Sequence, residues 1–164
     1  MAITNTQLNT GMGTEGSGAP TAHEIFTKIN NAKDKPAKIA VLKQYDNQAM
    51  RMLLKAAFDP KIKFDLPAGD PPFIRNEAPA GTEHTSLAAE AKKLFHFVIG
   101  GNNTINKLKK ETMFIQMLEG LHEQDAEVLM AIKNKTLNNA YKGLTANLVK
   151  ETFNWTDDFT RINK

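Results

Sequence analysis

Signals for the start of a helix recur along this chain, and they restrict its fold more than any other feature. Thr21 and Glu24 have the spacing of a capping box, in which both side chains satisfy backbone groups at a helix start. Asp34 followed by Pro36 is a second signal, since proline loses no hydrogen bond in the first helical turn. Apolar residues at helical spacing follow these signals, and no stretch alternates as a strand would. The sequence therefore predicts an all-α compact bundle of about seven short helices.

Each predicted helix presents an apolar stripe for burial. In chain order the stripes are Ile25, Phe26 and Ile29; Ile39, Leu42 and Tyr45; Met50, Leu53, Leu54 and Ala57; Leu87, Ala91, Leu94, Phe95 and Val98; Ile105, Leu108, Thr112, Ile115 and Leu118; Ala126, Leu129 and Ile132; Leu148, Val149 and Phe153. The fifth helix has a second stripe that includes Met113 and Met117. Because it is apolar over a broad arc, we expect it to be central and the methionines to fill core space.

Two segments lack the helical pattern. Residues 1–20 combine glycines with small polar residues and hold too few apolar groups to offset the entropy of ordering. We predict a disordered, flexible N-terminal tail there, followed by a single helical domain at residues 21–164. Five prolines rule out a regular helix over residues 59–82. We expect this long proline-rich loop to be ordered, since its apolar residues can pack on the helices; these are Phe64, Leu66, Phe73 and Ile74.

Composition excludes several kinds of site. The chain has no cysteine, which excludes disulfides, thiolate zinc sites and cysteine nucleophiles. Neither His23 nor His122 has a second histidine at the spacing of a zinc-binding helix, and no glycine-rich phosphate loop is present. We therefore expect no enzymatic activity, no catalytic residues, no metal and no cofactor. No signal peptide or membrane span is apparent, so we expect a cytoplasmic protein without membrane contact.

Acidic residues around the proline-rich loop form an alternative site. Asp65, Asp70, Glu83 and His84 supply the donor atoms that a hard cation or acid–base chemistry requires. Polar residues of this kind are common in solvated loops, and we favour that interpretation.

The segment Lys142-Gly143-Leu144-Thr145 is the strongest candidate for a binding site. Thr145 can cap a following helix, and the preceding glycine lets a phosphate approach the N–H groups of Leu144, Thr145 and Ala146. Such a contact is blind to base sequence. The alternative is an ordinary loop glycine before a well-capped helix.

Other lysines could extend this site. The net charge of +3 and the pI of about 9.0 permit an anionic partner without requiring one, so any nucleic-acid surface depends on local clusters. Lys133 and Lys135 precede the turn and could add attraction to the same phosphate. Lys107, Lys109 and Lys110 form a second cluster in the first turn of a helix, where they oppose the helix dipole.

The order of these segments resembles the N-terminal helical DNA-binding domain of phage-type ATP-dependent DNA ligases. The resemblance rests on Ile25, Phe26, Ile29, Lys38, Ile39, Leu42, Met50, Leu53 and Leu54 in the first helices, and on Gly143, Leu144, Thr145, Leu148 and Val149 near the C-terminus. It covers roughly residues 21–155, and the proline-rich loop departs from the pattern. The whole chain is also similar to small uncharacterised proteins of T-even-like phages that infect cyanobacteria.

The resemblance implies a stand-alone module that binds duplex DNA, intact or nicked, without catalysis. The nucleotidyl-transfer motif Lys-x-Asp-Gly of the ligases is missing from this sequence. Lys142, Gly143, Leu144 and Thr145 would lie on backbone phosphates, with Lys107, Lys109 and Lys110 as further contacts. Such a module would serve phage DNA replication or repair in the cytoplasm of the infected bacterium.

A protein-interaction adaptor is the rival hypothesis. The C-terminal segment contains Phe153, Trp155, Asp157, Asp158 and Phe159, a mixture of aromatic and acidic residues that can dock in a groove of a partner. A phage sliding clamp or another replication or transcription protein would be such a partner. For Trp155 alone we favour the alternative that it packs on its own core. A virion-associated structural protein is a third possibility.

Overall fold

The all-α prediction is confirmed in the computed structural model, which describes residues 20–67, 69–73, 85–156 and 159. Residues in this part form eight α-helices and one 3-10 helix, with an isolated antiparallel β-bridge between Phe64 and Val98 and no strand. The predicted tail, except Pro20, and the loop positions 68 and 74–82 lie outside the described residues, as do Glu83 and His84.

In chain order the α-helices have the following bounds. They are α1 (Ala22–Asn31), α2 (Lys35–Gln44), α3 (Gln48–Phe58), α4 (Leu87–Glu90), α5 (Lys107–Gly120), α6 (Glu123–Lys133), α7 (Leu137–Ala140) and α8 (Ala146–Phe153). The 3-10 helix Ala91–Phe97 continues directly from α4.

The capping interactions predicted at the starts of α1 and α2 are present. The Glu24 N–H donates to Thr21 Oγ1 at 3.2 Å, and the Thr21 N–H donates to Glu24 Oε1 at 2.8 Å. Asp34 accepts the N–H of Ala37 at 2.9 Å, with proline in the first turn. Two helix starts are thus determined by residues within three positions of each other.

The prediction that the fifth predicted helix is central is wrong, because α6 occupies that place. α6 contacts α1, α3, α4, α5 and α7, and seven of its residues are buried. In α5 only Lys110, Phe114, Met117 and Leu118 are buried, and Leu108 is 72% exposed. The apolar pattern did not predict this arrangement, because the buried α6 residues Asp125 and Lys133 are charged, whereas the apolar Leu108 near the start of α5 faces solvent.

The fourth predicted helix is shorter than expected and changes period. After α4 the chain tightens into the 3-10 helix, which has three residues per turn. Ala91, Leu94 and Phe97 are buried at this spacing, and Phe95, predicted to be buried, is 51% exposed. α7 was not predicted, since four residues are too few to show a period.

The loop after α3 contacts the body through backbone and side chains. Phe64 forms the antiparallel bridge with Val98. On either side of it, the Asp65 N–H donates to Phe97 O at 2.6 Å and the Ile99 N–H donates to Lys63 O at 2.8 Å. Further along the chain, Leu66 and Phe73 pack against the core.

We predict that Leu129→Ala, in α6, lowers the free energy of unfolding by about 2–5 kcal/mol, because it leaves a cavity at a fully buried site. Leu108→Ala is the matched control and should change the free energy by less than about 0.5 kcal/mol. Urea denaturation of both variants measures the difference. Similar losses in both would contradict the placement of α6 at the centre.

Candidate nucleic-acid interface

The turn before α8 is held in place by two asparagine side chains. The Gly143 N–H donates to Asn30 Oδ1, at the end of α1, at 2.7 Å. Asn138 Nδ2, from α7, donates to Lys142 O at 3.2 Å and to Leu144 O at 2.9 Å. The backbone of the turn is therefore fixed from both sides before any ligand arrives.

Gly143 lies where the end of α1 and the Lys38 side chain of α2 approach the turn closely. A Cβ atom at this position would lie 2.9 Å from Lys38 Nζ and 3.1 Å from Asn30 O. Lys38 Nζ itself donates to the carbonyls of Ile29, Asn30 and Ala32, and so satisfies the C-terminal end of α1. The missing side chain makes room for this helix end, a reason that the sequence motif alone did not reveal.

The backbone donors of the turn are fewer than the sequence suggested. The Leu144 N–H donates to Tyr141 O at 2.9 Å, and Leu144 is fully buried. The expectation that this N–H is free for a phosphate is therefore wrong. Thr145 caps α8 as predicted, since its Oγ1 accepts the Leu148 N–H at 3.1 Å. Ala146 and Asn147 lie in the first turn of α8, where a helix offers no carbonyl to the N–H groups.

Two exposed lysines belong to the segments that meet at the turn. Lys142 is exposed and directly precedes Gly143. Lys33 is also exposed and directly follows Ala32. The Ala32 carbonyl accepts a hydrogen bond from the Lys38 ammonium, and this ammonium lies beside Gly143. Nothing in the sequence indicated Lys33, because the contact of α1 with the turn joins residues more than a hundred positions apart.

Lys133 and Lys135 have hydrogen-bond partners at the proline-rich loop. Lys133 is 7% exposed, and its Nζ donates to Gly69 O at 2.6 Å. Lys135 Nζ donates to the carbonyls of Ala56 and Asp59. Burial lowers the pKa of both ammonium groups. The structure thus gives these two predicted phosphate contacts internal partners.

The three lysines at the start of α5 differ in their exposure to solvent. Lys110 is 4% exposed, and its Nζ donates to Asp65 Oδ2 at 3.0 Å. This hydrogen bond, with the nearby charge of Lys107, lowers the pKa of Asp65. The Lys107 side chain is 86% exposed and lies 3.7 Å from Asp65 Oδ1, and Lys109 is exposed. Only Lys107 and Lys109 therefore face solvent.

We call Lys110, Lys133 and Lys135 the loop clamp. They hold the loop at Asp65, at Gly69 and at Asp59 respectively. Two of the four residues of the alternative acidic site are engaged in this region, since Asp70 Oδ1 accepts the Asn134 amide at 2.9 Å. No group of three or more His, Asp or Glu side chains in the described part of the chain could hold a metal ion.

The aromatic residues of the proposed docking peptide fold back on α8. Phe153 is 8% exposed and Phe159 is 4% exposed. The ring of Trp155 lies between them, with ring centroids at 5.0 Å from Phe153 and 6.2 Å from Phe159. The prediction that Trp155 packs on its own core is confirmed. Asp157 and Asp158 lie outside the described residues.

Among the described helices, none is both long enough and apolar enough to cross a membrane.

A family model described as a family of unknown function, DUF6433, matches residues 25–139. The match covers more than half of the 164 residues and includes the loop clamp. The turn before α8 lies just beyond it. Neither the curated proteins nor the solved structures gave a match.

We predict that Lys133→Met destabilises the protein by about 1–2 kcal/mol, because the Gly69 carbonyl loses the hydrogen bond from the buried ammonium. Lys142→Met is the matched control and should leave the free energy of unfolding unchanged. Hydrogen exchange should show faster exchange in residues 59–73 for Lys133→Met alone. Equal protection in both variants would contradict the clamp.

The ion pair of Asp65 predicts a pH dependence. Because the folded-state pKa is lowered, the ionised carboxylate stabilises the fold above its unfolded pKa of about 3.9, and that stabilisation is lost as pH falls through the folded-state pKa. The difference in unfolding free energy between the wild type and Asp65→Asn should therefore shrink on acidification. Urea denaturation from neutral pH down to about pH 3 tests this. A pH-independent difference would refute it.

Proposed function

We propose that this chain, which belongs to the DUF6433 family of unknown function, binds duplex DNA through its phosphate backbone and catalyses no reaction. The observation that carries the proposal is the pair of exposed lysines, Lys33 and Lys142, in the two segments that meet at Gly143 just before α8. A phosphate placed there would meet two ammonium groups, the N–H groups of Ala146 and Asn147, and the positive end of the α8 dipole. None of these groups reads a base.

Rigidity of the turn supports the same proposal. Asn30 and Asn138 fix the backbone on both sides of Gly143, so binding costs little ordering of the main chain. The lysine side chains alone must lose freedom when a phosphate binds.

We propose fewer lysine–phosphate contacts than the sequence suggested. The loop clamp contributes no phosphate contacts, and Lys107 and Lys109 remain as the exposed part of the second cluster. With roughly two to four phosphates neutralised, the logarithm of the binding constant should fall with the logarithm of salt concentration with a slope of about −2 to −4. Binding of this kind is weak and suits an accessory protein that acts on DNA already bound by other proteins.

The resemblance to the helical DNA-binding domain of phage-type ligases supports duplex, including nicked duplex, as the substrate. In those domains a turn of the same order contacts the duplex backbone through the minor groove. On this basis we propose a phage accessory of DNA replication or repair that works in the cytoplasm of the infected cell.

We predict that the double variant Lys33→Glu/Lys142→Glu loses most of its affinity for a labelled duplex at low salt, since two attractions become repulsions. The salt slope should become shallower by about one unit for each phosphate that the variant no longer neutralises. Fluorescence anisotropy over a salt series, with intact and nicked duplex, measures both quantities.

Lys43→Glu is the control for this experiment. It reverses an exposed charge near the other end of α2, away from the turn, and should retain affinity. Equal losses in the control and the double variant would show bulk attraction without a site. Binding that does not respond to salt, or no binding at low salt, would overturn the proposal.

A further inference from the structure

An exposed ion pair joins α2 to α8 close to the proposed phosphate site. Lys35 Nζ lies 2.5 Å from Glu151 Oε1. The two side chains are 59% and 52% exposed, so water reaches both charges. An ion pair of this kind contributes little to stability, and its lysine can therefore exchange one anion for another at small cost.

Helix geometry places Glu151 near the start of α8. It follows Asn147 by four residues and therefore lies on the same face of the helix, one turn further from its start. Asn147 is exposed, and its N–H belongs to the proposed phosphate site. Four residues span about 6 Å along a helix, which is shorter than the screening length of about 10 Å at 0.1 M ionic strength. Glu151 is thus near enough to repel a phosphate held at the start of α8.

Lys35 and Lys33 belong to the same short connection between α1 and α2. Lys33 follows the C-cap residue of α1, and Lys35 is the first residue of α2. The turn before α8 is held against the end of α1, because the Gly143 N–H donates to Asn30 Oδ1. The segments that carry Lys33, Lys35 and Lys142 therefore meet near the start of α8.

The other charged groups of this region have partners of their own. Asp34 caps α2 by accepting a backbone N–H at 2.9 Å, where the positive end of the α2 dipole offsets its charge. Lys38 Nζ donates to three carbonyls at the end of α1. In α8, Lys150 Nζ lies 5.5 Å from the centre of the Phe159 ring. Opening the ion pair between α2 and α8 leaves all of these contacts in place.

We propose that Lys35 is a further phosphate-binding residue and that Glu151 limits the affinity of the site for duplex DNA, an inference that rests on the proposed function. In the free protein Glu151 holds Lys35. When duplex binds, the Lys35 ammonium leaves the carboxylate for a backbone phosphate, and Glu151 returns to water. The carboxylate opposes binding in two ways, since it competes for the ammonium and repels the phosphate.

Single substitutions at the ion pair test this proposal by fluorescence anisotropy with a labelled duplex. Lys35→Gln should lower the affinity at low salt by at least about threefold and make the salt slope shallower by about one unit. Lys35→Arg keeps the charge and should bind like the wild type. Glu151→Gln should raise the affinity by about three- to tenfold, because competition and repulsion are both removed.

The double variant Lys35→Gln/Glu151→Gln separates the two effects of the carboxylate. Repulsion of the phosphate acts whether or not Lys35 is present, whereas competition requires it. The gain in affinity from Glu151→Gln should therefore be about two- to fivefold larger in the wild type than in the Lys35→Gln background. Equal gains in the two backgrounds would mean that the ion pair does not open, and would contradict the proposal.

Asp46→Asn is the matched control. It breaks the ion pair of Asp46 with Arg51, which is also solvent-accessible with a distance of 2.6 Å, and it changes the net charge by the same amount as Glu151→Gln. This pair lies near the far ends of both helices, since Arg51 is 5.2 Å from the centre of the Phe153 ring. Its affinity should stay within about twofold of the wild type, because about 15 Å of helix separates it from Lys35. Thermal unfolding establishes that all variants fold.

Failure of this proposal is distinguishable from failure of the proposed function. Duplex binding that requires Lys33 and Lys142 but does not change in Lys35→Gln would overturn this proposal alone. A gain from Asp46→Asn equal to that from Glu151→Gln would reveal an effect of net charge and would also overturn it alone. Absence of duplex binding by the wild type at low salt would overturn both.

Discussion

The ammonium groups of the loop clamp fasten the proline-rich loop to the helices, and the arrangement of that region depends on them. Prolines remove N–H donors from the loop, so its carbonyls need donors from elsewhere. Lysine can reach such a carbonyl from the end of α6 or from the turn after it, as Lys133 and Lys135 do. Lys110 holds Asp65 in the same way, next to the bridge that positions Phe97 and Ile99. Each of these ammonium groups consequently already has a partner within the protein.

Local sequence signals predicted the helices. Longer-range packing determined the helical period and the burial of individual side chains, which those signals did not predict. Thr21 and Glu24 satisfy each other within one turn, so the start of α1 follows from adjacent residues alone. The change to three residues per turn before Phe97 has no such signal. Lys109 and Lys110 are identical in type and adjacent, yet one is exposed and the other is buried because Asp65 is brought to it from another part of the chain.

The short motif before α8 predicted the local geometry of the turn, but it did not predict why a glycine is present there. The sequence predicted a capped helix start after a glycine, and Thr145 does cap α8. The glycine was interpreted as room for a ligand, whereas in the structure it makes room for the end of α1. Asn30 and Lys38, which create that constraint, are more than a hundred positions away, so no spacing within the motif could reveal them.

Folding divides the lysines of this chain between internal partners and solvent. Lys110, Lys133 and Lys135 donate to groups of the proline-rich loop. Around Gly143 the exposed groups are cations and helix-start amides, which attract a phosphate through charge alone and lose that attraction as salt rises. The lysines proposed to meet a duplex backbone are therefore ones that folding leaves exposed. The sequence alone could not separate these two sets, because the partners of the loop clamp come from another part of the chain.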